Sequence, residues 1–82
     1  MNLLILTHDD LRINHKNVSD CDVELNCIRY IQRSAIEEAE VVLFIGMKRI
    51  KILKNKYGHH DIVFPFGWDT DDIIKFCKIK ET

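Results

Sequence analysis

Residues 41–46, Val-Val-Leu-Phe-Ile-Gly, constrain the fold more than any other stretch of this chain. They are apolar on both parities, rich in β-branched and aromatic types, and closed by a glycine. An acidic run (Glu37, Glu38, Glu40) precedes them and the basic Met47-Lys48-Arg49 follows. A short run of that kind suits a strand buried on both faces, as in a parallel sheet sandwiched between helices. In such sheets ligands gather at the carboxyl ends of the strands, so the run also indicates where a site belongs.

The chain has 82 residues, enough for one domain with one core that buries roughly 60–65% of its unfolded surface. Its hydrophobic (46%) and charged (30%) fractions are those of an ordinary globule. No window approaches the ~18 apolar residues of a membrane span. The apolar start, Met1 to Leu6, lacks a basic leader and meets Thr7-His8-Asp9-Asp10 at once, so it reads as a strand and not as a signal peptide. Cys21, Cys27 and Cys77 show no repeated spacing, and are expected to be reduced thiols of a cytoplasmic protein. Twelve isoleucines and eight lysines against two alanines suggest an AT-rich coding genome, hence a phage, a mobile element or a low-GC host.

Around the central run the pattern reads as β-α-β-α-β-α. Residues 2–6 are the first strand, and 11–20 a connecting loop. Ser19-Asp20-Cys21-Asp22 supplies helix-start chemistry. Val23, Cys27, Ile31 and Ala35 then recur every four residues, with Ile28 and Ala39 on the adjoining stripe, predicting a helix over roughly 22–38. After the 41–46 strand, Ile50, Leu53 and Tyr57 with Gly58 behind them predict a short basic helix over 48–57. Arg49-Ile50-Lys51-Ile52 also alternates, which leaves a hairpin at 41–53 and an α+β fold as the alternative. Residues 61–66 form the last strand, with Pro65 near its end, and Asp69 or Thr70 caps a final helix carrying Ile73, Ile74, Phe76 and Cys77. The expected fold is a minimal three-layer α/β sandwich, its sheet three-stranded and mainly parallel.

A parallel sheet brings three strand ends to one edge: His8-Asp9-Asp10, Gly46-Met47-Lys48-Arg49 and Gly67-Trp68-Asp69. Two cations in the first turn of a helix sit at the positive end of its dipole, which is destabilising. An anion held by free backbone N–H groups and by Lys48 and Arg49 reverses that sign, so Gly46, Lys48 and Arg49 are candidates for a phosphate or carboxylate site. No P-loop pattern is present. Asp9-Asp10 could hold Mg²⁺ or act as a base; turn capping is the plainer reading. His59-His60-Asp61 with Cys77 or Cys21 lacks the spacings of a zinc site, and no metal or cofactor is expected. Phe64-Pro65-Phe66-Gly67-Trp68 reads as core plug or as interface anchor. With Lys48 to Lys56 it would make a nucleic-acid platform, but the acids at 69–72 argue against that.

The segment Ala35-Ile36-Glu37-Glu38-Ala39-Glu40 leading into Val41–Gly46 resembles the helix-to-strand step of Rossmann-like nucleotide-handling families: TIR-like domains, nucleoside deoxyribosyltransferases and the uracil-DNA glycosylase core. The resemblance covers twelve residues and carries over no catalytic motif. It lacks the glutamate of a following helix that the first two families use. It also lacks the glycosylase His-Pro-Ser, where this chain has Phe64-Pro65-Phe66.

The function expected is that of a non-enzymatic binding protein that modulates or inhibits a host protein. Its interface would draw on Phe66, Trp68, Asp69, His8, Asp9 and Asp10. A phosphate-bearing ligand such as a nucleotide, held by Lys48 and Arg49 and stacked on Trp68, is the alternative. A small hydrolase or transferase using His8, Asp9 and Asp10 comes third. A homodimer is compatible with the chain's small size.

Overall fold

The computed structural model describes residues 2–12, 18–56, 62–65 and 67–79, the last three without their side chains. His59, His60, Asp61 and Phe66 lie outside the described residues, as do Tyr57 and Gly58. Four strands, β1 (Leu3–Leu6), β2 (Val41–Ile45), β3 (Arg49–Asn55) and β4 (Ile62–Pro65), form one sheet in the order β1-β2-β3-β4. β1 pairs parallel with β2, while β3 is antiparallel to both its neighbours. The helices are α1 (Arg33–Glu38) and α2 (Thr70–Ile79).

The central run is buried on both faces as expected: Val41, Val42, Leu43 and Phe44 are all fully buried. On one face Val42 and Phe44 pack with Leu6, Leu11, Val23, Ile28, Ile36 and Leu53. On the other, Val41 and Leu43 pack with Ile50, Ile52, Phe64 and Ile73, the last from α2. Double-sided burial therefore comes from two covering layers, whatever direction the neighbouring strand runs.

The mainly parallel three-stranded sandwich does not form. The reason lies at Gly46-Met47-Lys48-Arg49, where the Gly46 N–H donates to the Arg49 carbonyl at 2.9 Å and the chain reverses. Residues 49–55 return as β3 instead of forming a basic helix. Alternation in Arg49-Ile50-Lys51-Ile52 outweighs the i, i+3, i+7 spacing because Ile50 and Ile52 reach the α2 side of the core. The alternative hairpin at 41–53 is the arrangement present, extended to 55. An irregularity between Val42 and Leu43 gives β3 an extra residue. Leu53 and Lys54 both serve the α1 side as a result: Leu53 joins the first core cluster, and the Lys54 ammonium donates to the Ile36 and Glu37 carbonyls, each at 2.8 Å.

The helix expected over 22–38 shrinks to α1. Residues ahead of it form a 3₁₀ turn (Leu25–Cys27) and an isolated antiparallel bridge, Leu11 with Ile28. The Arg12 N–H donates to the Cys27 carbonyl (2.8 Å) and the Arg29 N–H to that of Asp10 (2.7 Å). Those backbone groups are spent on the loop after β1, and the four-residue recurrence of Val23, Cys27 and Ile31 marks where an irregular segment touches the sheet. At the other end the final helix forms as expected: the Asp69 carboxylate accepts the Asp71 N–H at 3.1 Å, and Asp71 and Asp72 occupy the first turn, where acids suit the dipole.

A six-residue helix is far too short to stand by itself, so α1 depends on its burial and on Lys54 at its C-terminal carbonyls. Replacing Lys54 with Met should cost about 1–3 kcal/mol, the range for a charge-assisted bond. Hydrogen exchange at the Ala39 amide, which donates to Ala35, should accelerate before global unfolding.

Candidate functional site

β1, β2 and β4 all run in one direction, because β3 reverses between β2 and β4. Their carboxyl ends accordingly share one edge of the sheet despite the mixed pairing. Beyond that edge lie His8–Asp10 after β1, Gly46–Arg49 between β2 and β3, and Gly67–Asp69 after β4. Arg49 pairs with Pro65, so the last two groups belong to adjoining strands.

The centre of the edge is an anion cradle, and a side chain of the protein fills it. Asp20 extends its carboxylate to the hairpin tip, where Oδ2 accepts the Lys48 backbone N–H at 3.0 Å and the Met47 amide also donates. Asp20 Oδ1 lies 3.1 Å from His8 Nε2, and the His8 ring meets Phe44 edge-on with centroids 5.0 Å apart. Both side chains are largely buried. Gly46 is required here for space: a Cβ would overlap the Asp20 carboxylate. The Lys51 ammonium, itself buried, donates to the Cys21 carbonyl at 2.9 Å and pins the residue after Asp20.

Burial pushes the Asp20 carboxyl up, but the Lys48 and Met47 amides, then His8, outweigh it and hold the group below its ordinary value of 3.8. The free anion site expected at Gly46, Lys48 and Arg49 thus has an occupant. Those amides are the donors that a ligand's phosphate would have used, whereas the Lys48 and Arg49 residues themselves stay exposed. Asp20 was missed as a site residue because its neighbours read as a helix start. The signal available was the pairing of the cationic Gly46-Met47-Lys48-Arg49 with the acids of Ser19-Asp20-Cys21-Asp22, which the helix-start reading had already absorbed.

The remaining candidates separate by role. The Asp10 carboxylate accepts the Thr7 N–H at 2.8 Å and closes the 3₁₀ turn over His8–Asp10; that is the turn-capping reading. Asp9 is exposed. Asp69 caps α2. Trp68 donates its backbone N–H to the Pro65 carbonyl, and its ring lies on Phe64 with centroids 4.9 Å apart, yet the residue is 42% exposed. Met47, at the pinned tip, is 81% exposed. Among the described residues no group of three or more His, Cys, Asp or Glu is placed to hold a metal ion, and no described helix is long and apolar enough to cross a membrane. Comparison with protein-family models, curated proteins and solved structures finds no match.

Because the folded-state pKa of Asp20 is depressed, its stabilisation is present above the unfolded value of about 3.9 and is lost as pH falls through the lower folded one. Denaturant titrations of wild type and Asp20→Asn should differ at neutral pH by about 1–3 kcal/mol and converge in acid. Gly46→Ala should destabilise as well, and less than additively with Asp20→Ala, since the second change removes the group that the new methyl would strike.

Proposed function

We propose that this chain is a cytoplasmic, non-enzymatic binding protein of phage or mobile-element type, docking through its loop edge onto a host protein that it modulates or inhibits. The observation that carries this reading is the exposure of Met47 and Trp68 beyond adjoining strands on backbone that is already held in place. Met47 sits on a turn tied by the Gly46–Arg49 bond and by Asp20; Trp68 sits on a turn tied to Pro65 and rests on Phe64. Large apolar side chains presented on ordered backbone lose little entropy on association, and Trp is prominent among interface hot spots. Thioethers adapt to the surface they meet.

The charges flanking these anchors favour a protein over a polyanion. Lys48 and Arg49 lie on one side and Asp69, Asp71 and Asp72 on the other, all exposed. Such a mixed rim suits a protein surface and opposes a nucleic-acid backbone. A nucleotide bound at the tip would have to compete with Asp20 for the Met47 and Lys48 amides. A hydrolase built on His8 and Asp10 would have to draw on groups that already hold the Asp20 and Thr7 contacts.

Affinity capture from host lysate should retain one protein in stoichiometric amount. Trp68→Ala and Met47→Asp should each weaken its retention by about 30-fold or more, the effect of losing a hot spot of about 2 kcal/mol. Asp9→Asn should leave it unchanged. Equal recovery by wild type and both anchor variants, with circular dichroism showing all of them folded, would overturn the reading.

A further inference from the structure

Beyond this loop edge, β1 offers a second surface of different chemistry. Among the described residues it is an outer strand, Leu3-Leu4-Ile5-Leu6, paired with β2 on one side only. The Asn2 carbonyl accepts the Val41 N–H, and the period of two in a parallel ladder assigns Leu4 and Leu6 to the same side. The N–H and C=O groups of Leu3 and Ile5 therefore point away from the sheet. Outer strands are ordinarily guarded against pairing by charge, proline or a bulge. β4, the opposite outer strand, ends in Pro65. β1 has no charged residue and no proline, and its register with β2 is regular.

Both apolar clusters also reach their limit at this strand. Leu4 is partly buried against the first, Leu3 is partly buried against the second, and Ile5 stands 44% exposed beside it. Whatever pairs with β1 has to continue both faces at once. A second copy of the chain does so by symmetry.

We infer that β1 is a homodimerisation strand, pairing antiparallel with β1 of a second copy about a two-fold axis through Leu4, so that the sheet runs on into eight strands. This register opposes Leu3 to Ile5 of the second copy and Ile5 to its Leu3. Every outward N–H and C=O at these positions then finds a partner, in two hydrogen-bonded pairs flanking the non-bonded Leu4 pair. The two Leu4 side chains meet on the α1 face, and each Ile5 is covered by the Leu3 of the other copy on the α2 face. No like charges face each other across the axis, a requirement for a self-complementary contact. Centring the axis on Ile5 instead would oppose Leu3 to Thr7, whose N–H is already taken by Asp10 at 2.8 Å. The side chains and the open backbone groups select the same register.

Sedimentation velocity across a concentration series, combined with amide hydrogen exchange, tests the pairing. Wild type should pass from monomer to dimer as concentration rises, and Ile5→Lys, a charge placed at a half-exposed edge position, should weaken association by at least about tenfold. Trp68→Ala should dimerise like wild type, which separates this surface from the loop edge. In the dimer the Leu3 and Ile5 amides should be as protected as those of Leu4 and Leu6; in a monomer they should exchange like loop amides. A wild type that stays monomeric, a dimer that survives Ile5→Lys, or a dimer with unprotected Leu3 and Ile5 amides would each overturn the inference. Because the exchange pattern is read on wild type, it decides the matter even if the variant fails to fold.

Discussion

The Asp20 carboxylate is the contact on which the arrangement of this small chain turns. It joins three segments remote in sequence: the loop that crosses from β1 to β2, the turn after β1 through His8, and the hairpin tip through the Met47 and Lys48 amides. Without it, the first part of the long crossover, which has little regular structure of its own, would be held to the sheet mainly by the apolar contacts of Val23 and Ile28 and by Lys51. Charge-assisted bonds to backbone N–H groups are stronger and more directional than such contacts. They set the position of the loop, and the apolar residues then fill the space beneath it. Lys51 acts alongside by holding the next carbonyl, at Cys21, from the floor of the same layer.

The buried strand at 41–45, the capped helix at 70–79 and the terminal place of Pro65 in its strand were all legible in the amino-acid order, because each depends on local chemistry. Strand direction was not. A strand covered on both faces reads the same whether its neighbour is parallel or antiparallel, and here one neighbour is of each kind. The hairpin at 46–49 was written in the alternation of 49–52, but a competing helical spacing ran through the same residues. What decided between them was tertiary: Ile50 and Ile52 find the α2 side of the core, and Asp20 fixes the tip. The helix expected over 22–38 failed for the complementary reason. Its backbone groups were claimed by Asp10 and Arg12, partners that no local window contains.

The candidate site was legible as an address and only partly as chemistry. The three loops do meet on one edge, although the reasoning assumed a parallel sheet. An antiparallel strand inserted between β2 and β4 reverses direction twice and restores the same geometry. The anion argument at Gly46-Met47-Lys48-Arg49 assumed a helix dipole, which the hairpin removes; the amides of the turn are nonetheless open to an anion, and Asp20 supplies it from within. The lesson is general for small domains: a cluster of unsatisfied donors predicts a partner, but an acidic residue of the same chain competes for the place at far higher effective concentration than any free ligand.

That competition leaves the chain with two surfaces of opposite kind. The loop edge has its polar backbone groups engaged and presents side chains, Met47 and Trp68, on ordered turns. The β1 edge presents backbone groups, with only Ile5 well exposed beside them. A side-chain surface discriminates among partners by shape, whereas a backbone surface accepts any strand whose side chains suit its two faces. Of strands at equal distance, another β1 suits best, because both unfinished apolar clusters continue into their own symmetry mates. A domain of this size buries a smaller share of its surface than a larger one. Completing the sheet through β1, as proposed, would make up part of that deficit while leaving the loop edges of both copies exposed. The proposed self-association at one end of the sheet order and the proposed recognition of another protein at the strand ends are thus geometrically independent.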